Sequence, residues 1–403
     1  MSIETAWNPL RQPLFRALWL ASVASNIGSW MQNVGAAWLM TTLNPSPNYV
    51  AMVQAATSLP VFLFGLPAGV IGDLVDRRKF LIITQLWMTI ASAALGVLTM
   101  LNLTSAGTLL ALTFMLGAGN ALNAPAWQSI MPELVPPEDL APAIALNSVG
   151  FNIARTVGPA LAGILIAFTS PAGAFLLNAL SFGGVIWVLY RWPNAEQKSL
   201  AAPEPMWGAM IAGLRYVHHA PQMQVVLFRT AIFVVGGSAM WSVLPLLAKL
   251  ELGGGSGSYG ALLAAMGVGA VVGAFLLNRV REMYRVNTVV AGGIVLFSAA
   301  ISMLGVFTNL VAVCLAMGLV GIAWIAILSS FNTLVQIVVP DWVRSRALAV
   351  YILVVQGGLG IGSLVWGPVA TRFGIRATFL VAAASQIVCL VVFARLRLVS
   401  PDE

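Results

Sequence analysis

Charge is scarce in this sequence. Asp, Glu, Lys and Arg make up 8% of its 403 residues and hydrophobic residues 59%, whereas an average soluble domain is about a quarter charged. A water-soluble globule of that composition would aggregate, which leaves a membrane-embedded chain. Cysteine is rarer still: Cys314 and Cys389 both fall inside apolar segments, which excludes a disulfide framework and any cysteine-based metal spacing. The two histidines, His218 and His219, are adjacent and have no acidic or nucleophilic partner at metal or catalytic spacing, so no enzyme, metal or cofactor is expected. Among the few acidic residues, Asp73, Asp76, Glu133, Glu138, Asp139 and Asp341 all fall at the ends of apolar runs. No buried carboxylate proton relay is visible.

Apolar runs are what the chain has in abundance. Crossing the hydrocarbon core takes about 20 predominantly apolar residues per helix. Blocks of that length lie near 14–40, 48–72, 80–101, 106–130, 142–169 and 173–191, then 223–248, 258–279, 287–307, 309–335, 346–370 and 374–395. The expected fold is all-α and integral to the membrane: twelve transmembrane helices in two six-helix bundles, 1–191 and 222–403, joined by a linker at 192–221. The N-terminal stretch has no short apolar core followed by a small-residue cleavage site, so 14–40 is expected to stay as the first span. In the linker, Trp207, Met210, Ile211, Leu214 and Val217 recur at helical spacing. That spacing predicts a helix in the headgroup plane, with His218 and His219 on its wet side.

Positive charge orients this map, because Lys and Arg concentrate in short cytoplasmic loops. With a cytoplasmic N-terminus, fifteen of the twenty basic residues fall inside; only Lys249, Arg372 and Arg376 fall outside, and Arg155 and Arg229 lie within spans. Both termini are therefore expected in the cytoplasm. The same loops account for the net charge of +7 without nucleic acid as a partner.

The two halves are related by an internal repeat. An offset of 204 residues pairs Gly65 with Gly269, Gly69 with Gly273, Arg77 with Arg281, Gly117 with Gly321, Gly158 with Gly362, Gly163 with Gly367 and Phe175 with Phe379. Parallel six-span repeats of this kind build transporters that hold their substrate between the halves near the midplane and work by rocking.

Two motifs point to the moving parts. The stretch GLPAGVIGDLVDRRK after span 2 sets Gly65 and Gly69 a turn apart, followed by Asp73, Asp76, Arg77, Arg78 and Lys79; Asp73 is placed to pair with a cation or helix N-terminus of the other half. Span 5 contains GFNIARTVGPALAG, in which Gly158, Pro159 and Gly163 soften and thin the helix. The loop after span 10 adds Asp341, Arg344 and Arg346 to these gating candidates.

A second set of residues points to a cavity. Asn26, Trp30 and Asn33 share a face of span 1, and Asn120, Asn123 and Trp127 a face of span 4; Trp241, Trp324, Phe331 and Asn332 extend the pattern to the second half. Arg155, well inside span 5, must face water, an anion or carbonyl oxygens, and Arg229 near the start of span 7 is a weaker member of the set. A mixed amide and aromatic wall suits a small amphipathic molecule, anionic ones included.

With LFRALWLASVASNIGSWMQNVGAAWLM, NAPAWQSIMPELVPPEDL, GLRYVHHAP and VPDWVRSRALAV, these motifs resemble the major facilitator superfamily over nearly the whole chain. Within it, the chain is similar to the bacterial transmembrane secretion effector group, which includes the enterobactin exporter and macrolide efflux pumps. The resemblance implies an inner-membrane exporter driven by proton antiport; its solute is expected to be siderophore- or drug-like, and the protein to be a monomer. It also implies gating roles for Asp73 and Arg77 and helix bending at Gly158 and Pro159. Leu74 stands where many members carry a basic residue, Asp76 where many carry glycine, and span 4 lacks the arginine of many drug–proton antiporters. The competing readings are an uncoupled facilitator or importer and a non-transporting membrane sensor; the latter would need a soluble domain or docking tail that the 192–221 linker does not offer.

Overall fold

A computed structural model describes residues 7–192, 215–340 and 343–395, without the side chains of 70–74, 392, 394 and 395. The side chain of Asp73, Asp341 and most of the expected linker helix lie outside the described residues; residues 215–219 are helical and expose both histidines.

Twelve long helices follow one another: α1 (Pro13–Leu43), α2 (Pro47–Leu74), α3 (Arg77–Met100), α4 (Ala106–Leu134), α5 (Leu140–Phe168), α6 (Pro171–Arg191), α7 (Pro221–Leu246), α8 (Ser256–Met283), α9 (Val286–Val306), α10 (Leu310–Val338), α11 (Arg344–Phe373) and α12 (Ile375–Arg395). Each lies within a few residues of an expected span. Their starts carry local signals that favour a helix N-terminus. Proline opens α1, α2, α6 and α7, and the side chains of Asp76, Ser105 and Asn309 accept backbone N–H bonds at the starts of α3, α4 and α10. Between α11 and α12 the chain turns on Gly374 alone, at φ 86, a left-handed conformation that favours glycine.

Ten of these helices are individually long and apolar enough to cross a bilayer. The others are α12, whose apolar stretch is shorter, and α1, which is diluted by Ser22, Ser25, Asn26, Gln32 and Asn33. Large apolar side chains such as Ile83, Ile90, Leu180, Phe275 and Val311 remain exposed, as a lipid-facing surface requires.

Each half repeats one pairing pattern. In the first, α1 packs on α5 and α6, α4 on α2 and α3, and α3 on α6; in the second, α7 packs on α11 and α12, α10 on α8 and α9, and α9 on α12. The halves meet chiefly through α2 against α11 and α5 against α8. Most of the arginines and lysines sit at one end of the bundle, where the odd-numbered helices start. That end is the basic end, and the other the far end.

The glue inside the halves differs. In the first, Gln32 Oε1 accepts from Ser92 Oγ (2.5 Å) and Asn178 Nδ2 (2.7 Å), tying α1 to α3 and α6. In the second, Gln386 of α12 donates to the Phe233 carbonyl (2.9 Å) beside an apolar core that includes Phe233, Phe297, Trp324 and Phe331.

Candidate functional site

Between the halves lies a cavity of about 1100 Å³. Its wall carries seven amide side chains, Asn26 and Asn33 of α1, Gln54 of α2, Asn120 and Gln128 of α4, Asn332 of α10 and Gln356 of α11, together with the rings of Trp30, Phe151, Trp241 and Tyr259. Valines and leucines of α2 and α11 fill the space between. On α1 the lining residues Asn26, Ser29, Trp30, Asn33 and Ala37 recur every three or four positions, so one stripe of the helix faces the cavity. Among the described lining residues, Arg346 is the one charged side chain and none is acidic.

The far end is sealed by contacts between the halves. Ser256 Oγ donates to the Gly163 carbonyl (3.2 Å), and a Cβ on Gly163 would meet Gly260 Cα at 3.0 Å, so α5 and α8 touch backbone to backbone there. On the other seam, a Cβ on Gly367 would lie 3.1 Å from both Asn48 and Ala51; further down, Gly360 meets Leu59, Gly357 meets Phe62 and Gly65 meets Leu353. At Gly69, one turn nearer the basic end, a Cβ would meet no described atom within 4 Å. The cavity extends to the basic end, where Gly69, Ser129, Ser345 and Arg346 line it.

A strap crosses the far end as well. After Pro245, α7 runs into a π-helical turn, Leu247–Glu251, a geometry enriched at functional sites. From it Lys249 Nζ donates to the Thr41 carbonyl (2.9 Å) and Thr42 Oγ1 (3.2 Å) at the end of α1, and sits 5.6 Å from the Trp38 ring centroid. Trp38 in turn stacks on Tyr259 of α8 at 6.3 Å. Glu251 holds the same turn to α12 through Arg376 (2.5 Å).

Of the expected cavity residues, Asn26, Trp30, Asn33, Asn120, Trp241 and Asn332 line the wall. The others are placed differently. Asn123 faces α3, where its Oδ1 accepts from Thr84 (3.1 Å) and Gln85 (3.3 Å), and Trp127 packs on the cluster of Phe15, Leu18 and Ile130. Trp324 and Phe331 are buried in the second half's aromatic core, where Trp324 meets Trp241 edge-on at 6.1 Å. Arg229 is 2% exposed, donates to Asn287 Oδ1 (2.8 Å) and lies 4.3 Å from the Phe393 ring centroid. It ties α7 to α9 and α12 and does not reach the cavity. Arg155, partly buried, is also not on the wall.

The expected gating residues form local ties at the basic end. Asp76 caps α3 by accepting from the Lys79 backbone N–H (3.0 Å), while Arg77 bonds Glu133 (2.7 Å) and the Ser129 carbonyl (3.3 Å) of α4. Arg78 donates to the Leu189 and Tyr190 carbonyls (2.7 Å each), closing the end of α6. Arg344 donates to the Gln336 carbonyl (3.0 Å), joining α11 to α10. A Cβ on Gly158 would press on Trp30 Cβ at 2.6 Å, so this glycine lets α5 approach α1, and a Cβ on Gly260 would come as close to the Pro159 carbonyl.

Sequence reasoning missed Gln54, Gln128, Gln356 and Tyr259 on the wall, and the strap at Lys249. The repeat carried a signal for one of them, since Gln128 is the offset partner of Asn332.

A family model described as transmembrane secretion effector matches residues 4–403. The chain is 25% identical to the Staphyloferrin A transporter of Staphylococcus aureus (strain NCTC 8325 / PS 47), covering 91% of this chain and 92% of that protein. It is 23% identical to the multidrug efflux pump Tap of Mycolicibacterium fortuitum, covering 93% of each. Among solved structures, it resembles a bacterial homolog to the human lysosomal transporter Spinster, with a TM-score of 0.74 at 18% identity over 98% and 99% of the two chains. It also resembles the nucleoside transporter NupG, with a TM-score of 0.73 at 14% identity over 95% and 98%.

Proposed function

Because the chain belongs to the transmembrane secretion effector family of major facilitator transporters, we propose that it exports a small amphipathic, siderophore- or drug-like solute by alternating access. The single observation that carries this is the cavity between the halves, walled by amides and aromatic rings and sealed at the far end. Amide side chains both donate and accept, so they can hold a ligand with scattered oxygens and nitrogens, while Trp30, Trp241 and Tyr259 offer apolar faces. The relatives named as a siderophore transporter and a multidrug efflux pump support cargo of this kind.

In this reading the basic end faces the cytoplasm of a bacterial plasma membrane, on the positive-inside rule, and the structure corresponds to the state that loads solute from inside. Each polypeptide encloses its own cavity and works as a monomer. Release requires the seam at Gly163–Gly260 and the Lys249 strap to part while the basic end closes. Coupling to inward proton flow completes the proposal on the strength of the family resemblance alone.

The test is flux in inverted membrane vesicles with radiolabelled staphyloferrin A and a panel of labelled antibiotics. Uptake that requires an imposed pH gradient supports proton-driven export. Equilibration that ignores the gradient overturns the coupling, and solute movement only in right-side-out vesicles overturns the direction.

A further inference from the structure

We infer that Arg155 anchors an acidic group of the transported solute, an inference that rests on the alternating-access reading and names the chemistry of its cargo. A guanidinium in mid-helix is costly inside a membrane unless an anion, a carbonyl or water answers it. Arg229 shows how this fold satisfies a structural arginine: it is buried, bonded to Asn287 and laid over Phe393. Arg155, near the middle of α5, is partly buried and, among the described residues, makes no hydrogen bond, ion pair or ring contact.

Three placements set it beside the cavity and away from lipid. Phe151, one turn earlier on the same face of α5, lines the wall. Gly158, one turn later, packs on Trp30 and Ile27 of α1, and the adjacent Thr156 lies against Gly267 of α8, so two cavity-lining helices flank Arg155 on either side. The repeat offset also maps Arg155 onto Leu359 of α11, which lines the wall in the other half. Arg155 therefore sits on α5 at about the level of Ile27 and Trp30, beside the wall, where a rotamer change of a long side chain presents its guanidinium to a bound solute.

The surroundings select the sign of charge. Among the described lining residues none is acidic and Arg346 is basic, so that part of the wall offers an anion no like charge and a cation no counter-charge. The planar fork of a guanidinium suits the two oxygens of a carboxylate or a comparable oxyanion.

The experiment uses purified full-length protein in nanodiscs and a panel of amphipathic aromatic carboxylic acids, each paired with its primary amide. Affinities are read from quenching of tryptophan fluorescence. In the unmodified protein the acids are expected to bind at least about tenfold tighter than their amides, a difference of about 1.4 kcal/mol. In Arg155→Gln, and in Arg155→Leu, which installs the side chain found at the equivalent Leu359, the ratio should collapse towards one; in Arg155→Lys it should survive in part. Melting temperature shows which variants fold, and one neutral variant that folds suffices. An unchanged ratio in a folded neutral variant overturns the inference. So does an unmodified protein that binds amides as well as acids, or binds no acid at all. Each of these leaves the alternating-access reading standing, because that reading is decided by vesicle flux.

Discussion

Gly65 and Gly269 occupy the same place in the repeat and meet different neighbours. A Cβ on Gly65 would touch only the end of Leu353 on α11, at 2.9 Å, whereas one on Gly269 would clash with the Gly318 carbonyl of α10. The next pair behaves alike: a Cβ on Gly69 would meet no described atom within 4 Å, and one on Gly273 would be pressed by Ile322 and Ile325. Helix α2 carries Pro60 and Pro67 where α8 carries Ala264 and Val271, and proline inside a helix removes a backbone bond and bends it. The same glycines thus serve a rigid seam within the second half and a yielding seam between the halves in the first. The contrast extends to the cavity, where the first half contributes five of the seven amides while the second buries Trp324 at the place equivalent to Asn120. The two halves match as scaffolds, but the first supplies most of the cavity's amides and the second is packed around an apolar aromatic core.

Substitutions at paired positions sharpen or break that contrast. Gly269→Ala should destabilise the protein by about 2–3 kcal/mol, because close-packed backbone cannot relax around a methyl group. Gly65→Ala should change stability by less than about 1 kcal/mol, since a leucine tip can move aside. Thermal melting of the two variants in the same detergent decides it, and equal shifts would break the comparison. Next in size, Gln32→Leu leaves Asn178 and Ser92 without their shared acceptor and should cost about 1–2 kcal/mol. Gln386→Leu, which removes one bond to a carbonyl, should cost about 0.6 kcal/mol, nearer the mean measured within membranes.

Lys249→Met, which cuts the strap to Thr41 and Thr42, acts on the conformational balance and not on folding stability. Losing about 1 kcal/mol of far-end closure raises the population open at that end roughly fivefold. Spin labels at Leu43→Cys and Gly255→Cys, with both native cysteines replaced, read that population as a longer distance. The smallest effect belongs to Glu133→Gln at the exposed Arg77 pair, expected to stay within about 0.5 kcal/mol by thermal melting.

Much of this was legible before the structure. The twelve helices followed from run length, because a bilayer leaves no other way to satisfy so many apolar residues. On α1 the lining stripe was readable because Asn26, Trp30 and Asn33 share a face of a helix packed within its own half by α5 and α6. The same logic misplaced Asn123, Trp324 and Phe331. Periodicity shows which residues share a face but not whether that face meets the cavity or a neighbouring helix, and in a bundle most directions meet a helix. Arg229 misled for a related reason: an intramembrane cation signals that a partner exists, and here the partners are Asn287 and Phe393 within the same half. Lys249 was read as an ordinary loop charge because nothing in the sequence marks a side chain that crosses to the other half.

The central claim is that one cavity between the halves opens at one end only while it is shut at the other. Double electron–electron resonance on the full-length protein in nanodiscs tests it most directly, with one label pair across the far end at Leu43→Cys and Gly255→Cys and a second across the basic end at Glu138→Cys and Ile337→Cys. Adding a transported solute should lengthen the far-end distance in the same fraction of molecules in which the basic-end distance shortens. Distances that lengthen together, or a far end that never separates in protein shown to transport, would contradict it.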